Sequence, residues 1–238
     1  MFGSFEQEAF ADRSEAGRRL AERLGRLEGQ QAVVLALPRG GVPVAYEVAR
    51  ALAAPLDLVL VRKIGAPFQP ELAIGAVVDG ERPELVVNRD LVEASGIPES
   101  YLESERQRQL EEIERRREHY LAGRARAPIQ DRTAIVIDDG IATGATMEAA
   151  LRATRRSRPR RLVLAVPVAP PDTIERLRPE VDEVVCLLTP ASLGAIGSFY
   201  RDFRQLDDEE VIALLERARQ WADSASHALE ADSDRTPP

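Results

Sequence analysis

Residues 134–147 read AIVIDDGIATGATM, and they set two carboxylates, Asp138 and Asp139, directly behind a short apolar run. Gly140, Ala142, Thr143, Gly144, Ala145 and Thr146 follow, and EAALRA then opens in helical fashion. Small residues leave backbone N–H groups unhindered, and the two threonines add hydroxyls. At the start of a helix such a loop is a phosphate cradle. The acids accept hydrogen bonds from vicinal hydroxyls, and their charge favours a cation developing close by. Loop and acids together suit the phosphate and the 2′,3′-diol of a ribose phosphate. The competing reading makes both aspartates solvated caps of the turn, which fits one acid better than two. The pattern lacks the lysine of a Walker loop and the spacing of a dinucleotide fingerprint.

Such groups need a scaffold that ends its strands on one side. AVVLAL (32–37), LDLVLV (56–61), AIVI (134–137), RLVLAVPVA (161–169) and VDEVVCLL (181–188) are short, continuous apolar runs. Helical patterns separate several of them: VPVAYEVARAL with Pro43 in its first turn, EAALRA and DTIERLR. Continuous strands alternating with helices predict a parallel sheet covered on both faces, which binds ligands at its strand C-termini. AIGAVV and ELVV read as a separate strand pair joined by the turn DGERP. SEAGRRLAERLGRL precedes the first strand as a helix, with Ser14 as the expected N-cap and Ala16, Leu20, Leu24 and Leu27 on one face. DEEVIALLERARQW closes the fold, and residues 223–238 read as a disordered tail.

The segment 97–123 interrupts this rhythm. Its sequence is densely charged, with Leu102, Leu110, Ile113 and Tyr120 as a thin apolar stripe. It reads either as a solvated helix laying one narrow face on the domain or as an inserted arm that contacts a second subunit. Composition narrows the partners. A formal net charge of −8 over 238 residues argues against nucleic acid as the main partner. The one cysteine, Cys186, excludes a disulfide framework and a cysteine-rich zinc site, and its strand setting makes it a small apolar residue. The early acids of the N-terminus do not read as a secretory signal, and no run has the length of a membrane span, so a cytoplasmic protein is expected. Neither His119 nor His227 has a catalytic setting.

VIDDGIATGATM resembles the phosphoribosyl-diphosphate (PRPP) binding motif of the type I phosphoribosyltransferases, with strand, acidic pair, small Thr/Gly loop and helix in register. LPRGGVPVA resembles the pyrophosphate loop of that family, and VRKIG the basic pair of its adenine-type members. The resemblance spans Val33 to Leu188, and it extends over nearly the whole chain to a group of uncharacterised phosphoribosyltransferase-like proteins.

The resemblance implies an α/β fold with a Rossmann-like parallel sheet, helices on both faces and a small hood, here in a single domain over 1–222. It implies that Asp138 and Asp139 hold the ribose hydroxyls and that Ala142, Thr143, Gly144, Ala145 and Thr146 hold the 5′-phosphate. Arg39, Gly40 and Gly41 would take the pyrophosphate, with Arg62 and Lys63 adding charge. Mg²⁺, carried mostly by substrate oxygens rather than a protein cluster, is the implied cofactor. PRPP and a heterocyclic base are the implied partners, with a homodimer as the expected assembly. The hypoxanthine-guanine branch places an Asp where this chain has Ala142, as the adenine and orotate branches do not. TPASLGAIGSFYRDF (189–203) occupies the place of the hood, where Phe199 and Tyr200 either stack on a base or anchor the last helix. GAPFQPELAIGAV is the candidate lid. Three functions follow: transfer of phosphoribose to a base, binding of PRPP or a nucleotide by a regulator without turnover, or hydrolysis or pyrophosphorolysis by a relative that uses the same ribose-phosphate site.

Overall fold

The structure, a computed structural model, describes residues 9–80 and 83–233, with side chains described as far as residue 220. Helix α1 (Arg13–Leu24) leads into strand β1 (Ala32–Ala36), helix α2 (Gly41–Ala51) and strand β2 (Leu56–Leu58). Three further strands follow: β3 (Val61–Ala66), β4 (Gln69–Val78) and β5 (Glu84–Val87). Helices α3 (Arg89–Ala94) and α4 (Glu99–Leu121) connect them to β6 (Thr133–Ile137), α5 (Ala145–Arg156), β7 (Arg161–Val168), α6 (Pro171–Leu177) and β8 (Glu183–Leu188). A short 3-10 turn over Ile196–Phe199 precedes the last helix, α7 (Asp208–Ser233).

β2-β1-β6-β7-β8 form one parallel sheet, with Val34 of β1 opposite Leu56 on one side and Ile135 on the other. Successive side chains of a strand point to opposite faces. Val34, Ala36, Ile135 and Ile137 therefore join Leu20 and Leu24 of α1, Val44 and Val48 of α2, and Val211 and Leu215 of α7. Val33, Leu35, Ala134 and Val136 join Met147 and Leu151 of α5 and Ile174 and Leu177 of α6. Both faces are covered, which is why β1 and β6 are apolar at nearly every position. The doubly covered parallel sheet matches the expectation from the sequence.

The local signals that begin the helices are also visible. Asp12, in extended backbone, accepts from the Glu15 amide at 2.7 Å, so Asp12 and not Ser14 caps α1. Pro171 opens α6 where an N–H has no helical partner.

Other expectations also need correction. LDLVLV is not one strand: its first part is β2 of the parallel sheet, and Val61 begins β3, which pairs antiparallel with β4. Arg62 and Lys63 thus lie within β3. The β4–β5 pair was expected, but it belongs to this three-stranded antiparallel ribbon, β3-β4-β5, and the turn at 79–83 falls partly outside the described residues.

The 97–123 segment does not project as an arm. α4 lies against β3, β4 and α7 and buries Leu102, Ile113 and Tyr120 from the expected stripe, together with Gln109 and Arg117. Arg117 is tolerated there because Nη1 meets Asp79 at 2.9 Å and Nη2 meets Asp57 at 3.3 Å. The polar stretch from residue 223 is helical through Ser233, because α7 continues across it; residues 234–238 of the expected tail, and the His227 side chain, lie outside the described set.

Candidate functional site

The parallel sheet reverses its winding between β1 and β6. From β1 the chain moves outward to β2, whereas β6 adds to the other side of β1. A crevice at the C-terminal ends of two such strands is the expected ligand position of an open α/β sheet. Pro38, Arg39, Gly40 and Gly41 leave β1 at that point, and Asp138 and Asp139 leave β6 beside them. The peptide between Pro38 and Arg39 is cis.

The two loops touch closely. A Cβ at Gly40 would lie 2.1 Å from Oδ2 of Asp139, and one at Gly41 would lie 2.8 Å from the Ile137 carbonyl and 2.9 Å from Cα of Asp138. Only glycine permits this approach. Asp139 is buried and Asp138 partly exposed. Burial, and then the neighbouring Asp139 carboxylate, push Asp138 well above the usual carboxylate range. Burial also raises Asp139, against the hydrogen bond and charge of Arg13.

Residues 142–146 form the entry to α5. Gly144 is its N-cap at φ +74°, a left-handed conformation that favours glycine. Ala142, Thr143 and Ala145 are exposed, and the first-turn amides of α5 have no carbonyl of their own helix to meet. The outer side of the loop is braced by α6. The Thr173 hydroxyl donates to the Ala142 carbonyl at 2.8 Å, and Arg176 donates to the Thr143 carbonyl and to Glu148. The helix begins at Ala145, earlier than EAALRA suggested, so the last two loop residues are its first two.

The antiparallel ribbon reaches the same place. Arg62 lines a small cavity of about 40 Å³ with Pro38 and Thr146. Lys63 lines a larger one, about 430 Å³, with Ala145, Thr146, Asn88, Arg89 and Arg152. Arg62 Nε donates to Gln109 Oε1 at 3.2 Å, and Lys63 makes no ion pair with any described residue. Arg39 points toward α7, its guanidinium 3.8 Å from Asp208. Asp208 also receives the Tyr120 hydroxyl at 2.6 Å, and that bond together with Arg39 and His119 holds its carboxyl below the usual range. Burial pushes the Tyr120 hydroxyl up to about 12, so it remains the donor. GAPFQPELAIGAV forms the β3–β4 hairpin, with Phe68 at its tip 95% exposed.

Phe199 and Tyr200 are not available to a base. They are 2% and 6% exposed and pack with Phe10, which pairs with Tyr200 in an isolated bridge. The Tyr200 hydroxyl donates to the Asp139 carbonyl at 2.5 Å. Both rings anchor the 189–203 segment and the first described residues to the sheet, and no described residue of the last helix shares their cluster. Cys186 is also a packing residue: burial raises its thiol to about 11.

Three groups at the site gave no signal in the sequence. Arg13 meets Asp139 across 126 residues of chain, Thr173 and Arg176 brace the loop from α6, and Asp208 holds Arg39. Among the described residues no cluster of three or more His, Cys, Asp or Glu side chains could hold a metal ion.

A doubly covered parallel sheet whose switch point joins an acid pair to an open helix start defines an α/β protein of the type I phosphoribosyltransferase fold. The chain belongs to the phosphoribosyl transferase domain family, whose model matches residues 7–202. Two Mycobacterium tuberculosis proteins provisionally named phosphoribosyl transferases, MT0597 of strain CDC 1551 and Rv0571c of strain H37Rv, are each 49% identical over 226 residues. The match covers 94% of this chain and 50% of each relative, so the chain spans about half their length. The crystal structure of TT1426 from Thermus thermophilus is similar at 48% identity and a TM-score of 0.76, covering 87% of this chain and 97% of that one.

Proposed function

We propose that this chain transfers the 5-phosphoribosyl group of PRPP to a ring nitrogen of a heterocyclic base and releases pyrophosphate, as in nucleotide salvage. The observation that carries this reading is the meeting of the PRGG loop, the acid pair and the open start of α5 at one switch point. The first-turn amides of α5 and the hydroxyls of Thr143 and Thr146 take the 5′-phosphate. The acid pair stands at the ribose diol, and the Arg39, Gly40 and Gly41 loop borders the pyrophosphate, with the Arg39 side chain paired to Asp208. Arg62 and Lys63 add positive charge from the ribbon.

The C1′–oxygen bond to pyrophosphate breaks as the base nitrogen bonds to C1′, and the nitrogen then loses its proton. The developing positive charge at C1′ and its ring oxygen is favoured by the nearby carboxylates. Mg²⁺, when bound, would neutralise the diphosphate and orient it as a leaving group. An ion carried mostly by the oxygens of PRPP would need no cluster of protein ligands, and no residue of this chain is assigned to it. A homodimer belongs to the same proposal. Incubation of labelled PRPP and Mg²⁺ with a panel of purines, pyrimidines and related heterocycles tests the reading, with pyrophosphate release as readout. A labelled nucleotide from one base is the expected result. Tight PRPP binding without release from any base would transfer the chain to the regulators.

A further inference from the structure

Arg13, the first residue of α1, is 9% exposed, and three contacts fix its guanidinium. Nε donates to Oδ2 of Asp139 at 2.7 Å, Nη1 donates to the Arg204 carbonyl at 3.0 Å, and the group lies 3.9 Å over the Phe203 ring. The same Oδ2 faces Gly40, and the Asp139 carbonyl is taken by Tyr200. Oδ2 and the carbonyl of Asp139 are therefore both engaged within the protein. Asp138 differs. Its Oδ1 accepts the Asp139 amide at 2.8 Å, no described cation pairs with it, and it is partly exposed.

We infer that Arg13 is a positioning residue that divides the labour of the acid pair: it fixes Asp139 as an internal anchor and leaves Asp138 as the carboxylate that meets the ligand. The inference rests on the reading of this site as a ribose-phosphate site.

Two adjacent carboxylates in one buried place cannot both carry charge cheaply, and a guanidinium on one of them decides which keeps it. The ionisable groups facing Asp139 are Arg13 from α1, Asp138 from its own loop and Tyr200 from the 189–203 segment. Glu210 of α7 lies beyond Arg13 and is itself paired with Arg204. None of these replaces Arg13 as the positive partner. The contact also has structural reach. Through Phe203 and Arg204 it ties the acid pair to the end of the hood segment and the residue that follows it, so the anchor joins α1, the acid loop and the hood segment.

The test has a ligand-free arm and a ligand arm. With ¹³C-carboxyl aspartate in the intact chain, and Asp138→Asn and Asp139→Asn for assignment, Asp139 should titrate below Asp138. Arg13→Met should abolish or reverse that order. Arg13→Lys, which keeps charge but not the fork, should restore part of it. In calorimetry with PRPP and Mg²⁺, Asp138→Asn should lose at least about tenfold more affinity than Asp139→Asn. Arg13→Met should weaken binding by about tenfold, and Arg13→Met/Asp139→Asn should recover most of that loss, because the unpaired acid is gone. Equal losses at the two acids, or joint titration whatever stands at position 13, would overturn the inference. If the parent protein itself fails to bind PRPP, the ribose-phosphate reading falls, and the carboxyl titration still decides whether Arg13 divides the pair. Should Arg13→Met fail to fold, the lysine variant carries the same comparison.

Discussion

The parallel sheet and the antiparallel ribbon both reach the site, and they contribute by different physics. The sheet is buried on both faces, and its rim loops lie so close that a methyl group at Gly40 or Gly41 has no space. The ribbon has one half-open face, a hairpin tip with Phe68 in solvent, and two cations on β3. Position at this site is set by backbone contact from the sheet, and charge is offered by side chains from the ribbon. Added atoms should therefore damage the first region, whereas removed charges should only weaken the second.

The largest effect is expected where the two regions are joined. Arg117 of α4 bridges Asp57 on β2 and Asp79 just past β4, and Asp79 also meets Arg126. Breaking a buried pair strands the remaining charge, at a cost of about 3–5 kcal/mol. Arg117→Met should lose that much in urea denaturation, and Arg117→Met/Asp57→Asn/Asp79→Asn should regain most of it. A loss within about 0.5 kcal/mol, the range of ordinary surface changes, would mean the two regions are not coupled there.

Next in size are the rim glycines. Gly41→Ala forces backbone contacts that the loops cannot relieve without moving, and Gly40→Ala must push the Asp139 carboxylate off its place beside Arg13, at about 1–3 kcal/mol each. Gly144→Val adds the strain of a β-branched residue at φ +74° and a clash at 2.9 Å with Thr173, so binding of PRPP and of nucleotide 5′-monophosphates should fall together. Phe68→Ser, at the ribbon tip, should stay within about 0.5 kcal/mol of the parent. Equal thermal shifts at Gly40 and Phe68 would erase the contrast between the regions.

The same contrast explains what was legible in the sequence. Strands covered on both faces must be apolar nearly throughout, so β1, β6 and β7 could be read from AVVLA, TAIVI and RLVLAVPV, and the half-buried edge strand β8 from the apolar end of EVVCLL. Strand polarity then placed Asp138, Asp139 and the PRGG loop on one rim. LDLVLV offered no break, because Val59 and Leu60 stay buried as the chain crosses from sheet to ribbon. Arg117 and Gln109 face inward on α4 through specific partners, which hydropathy counts as solvated positions. Phe199 and Tyr200 have the chemistry of a base platform. Their burial depends on Phe10, distant in sequence, and so could not be foreseen.

A subtler test separates the two acids by pH. The folded-state pKa of Asp138 is raised above its unfolded value of about 3.9. Ionisation of this group therefore opposes folding: stability is full below about pH 4 and declines as pH rises toward the folded-state pKa. Asp138→Asn removes that decline. Its melting temperature should match the parent in acid and exceed it at neutral pH, while ribose-phosphate binding is lost. A gap that widens toward low pH would contradict the sign and place the carboxylate in a stabilising role.

The smallest effect is expected at Lys63. The residue is exposed on β3, makes no ion pair with described residues, and lines the cavity that also holds Ala145 and Thr146. Lys63→Ala should leave urea denaturation unchanged, since nothing described depends on its charge. Its contribution to an anionic ligand acts through solvent, where screening sets the range at about 10 Å in 0.1 M salt. The variant should bind PRPP several-fold more weakly at low ionic strength, with the difference shrinking as salt is added. Arg62→Ala is the companion: its guanidinium is tied to Gln109, so its loss should cost both binding and a little stability. A salt-independent loss at Lys63 would mean direct contact with the ligand, and the ribbon would then share the positioning task now given to the sheet. No loss at any salt would place Lys63 outside the site and leave Arg62 as the cation that the ribbon offers there.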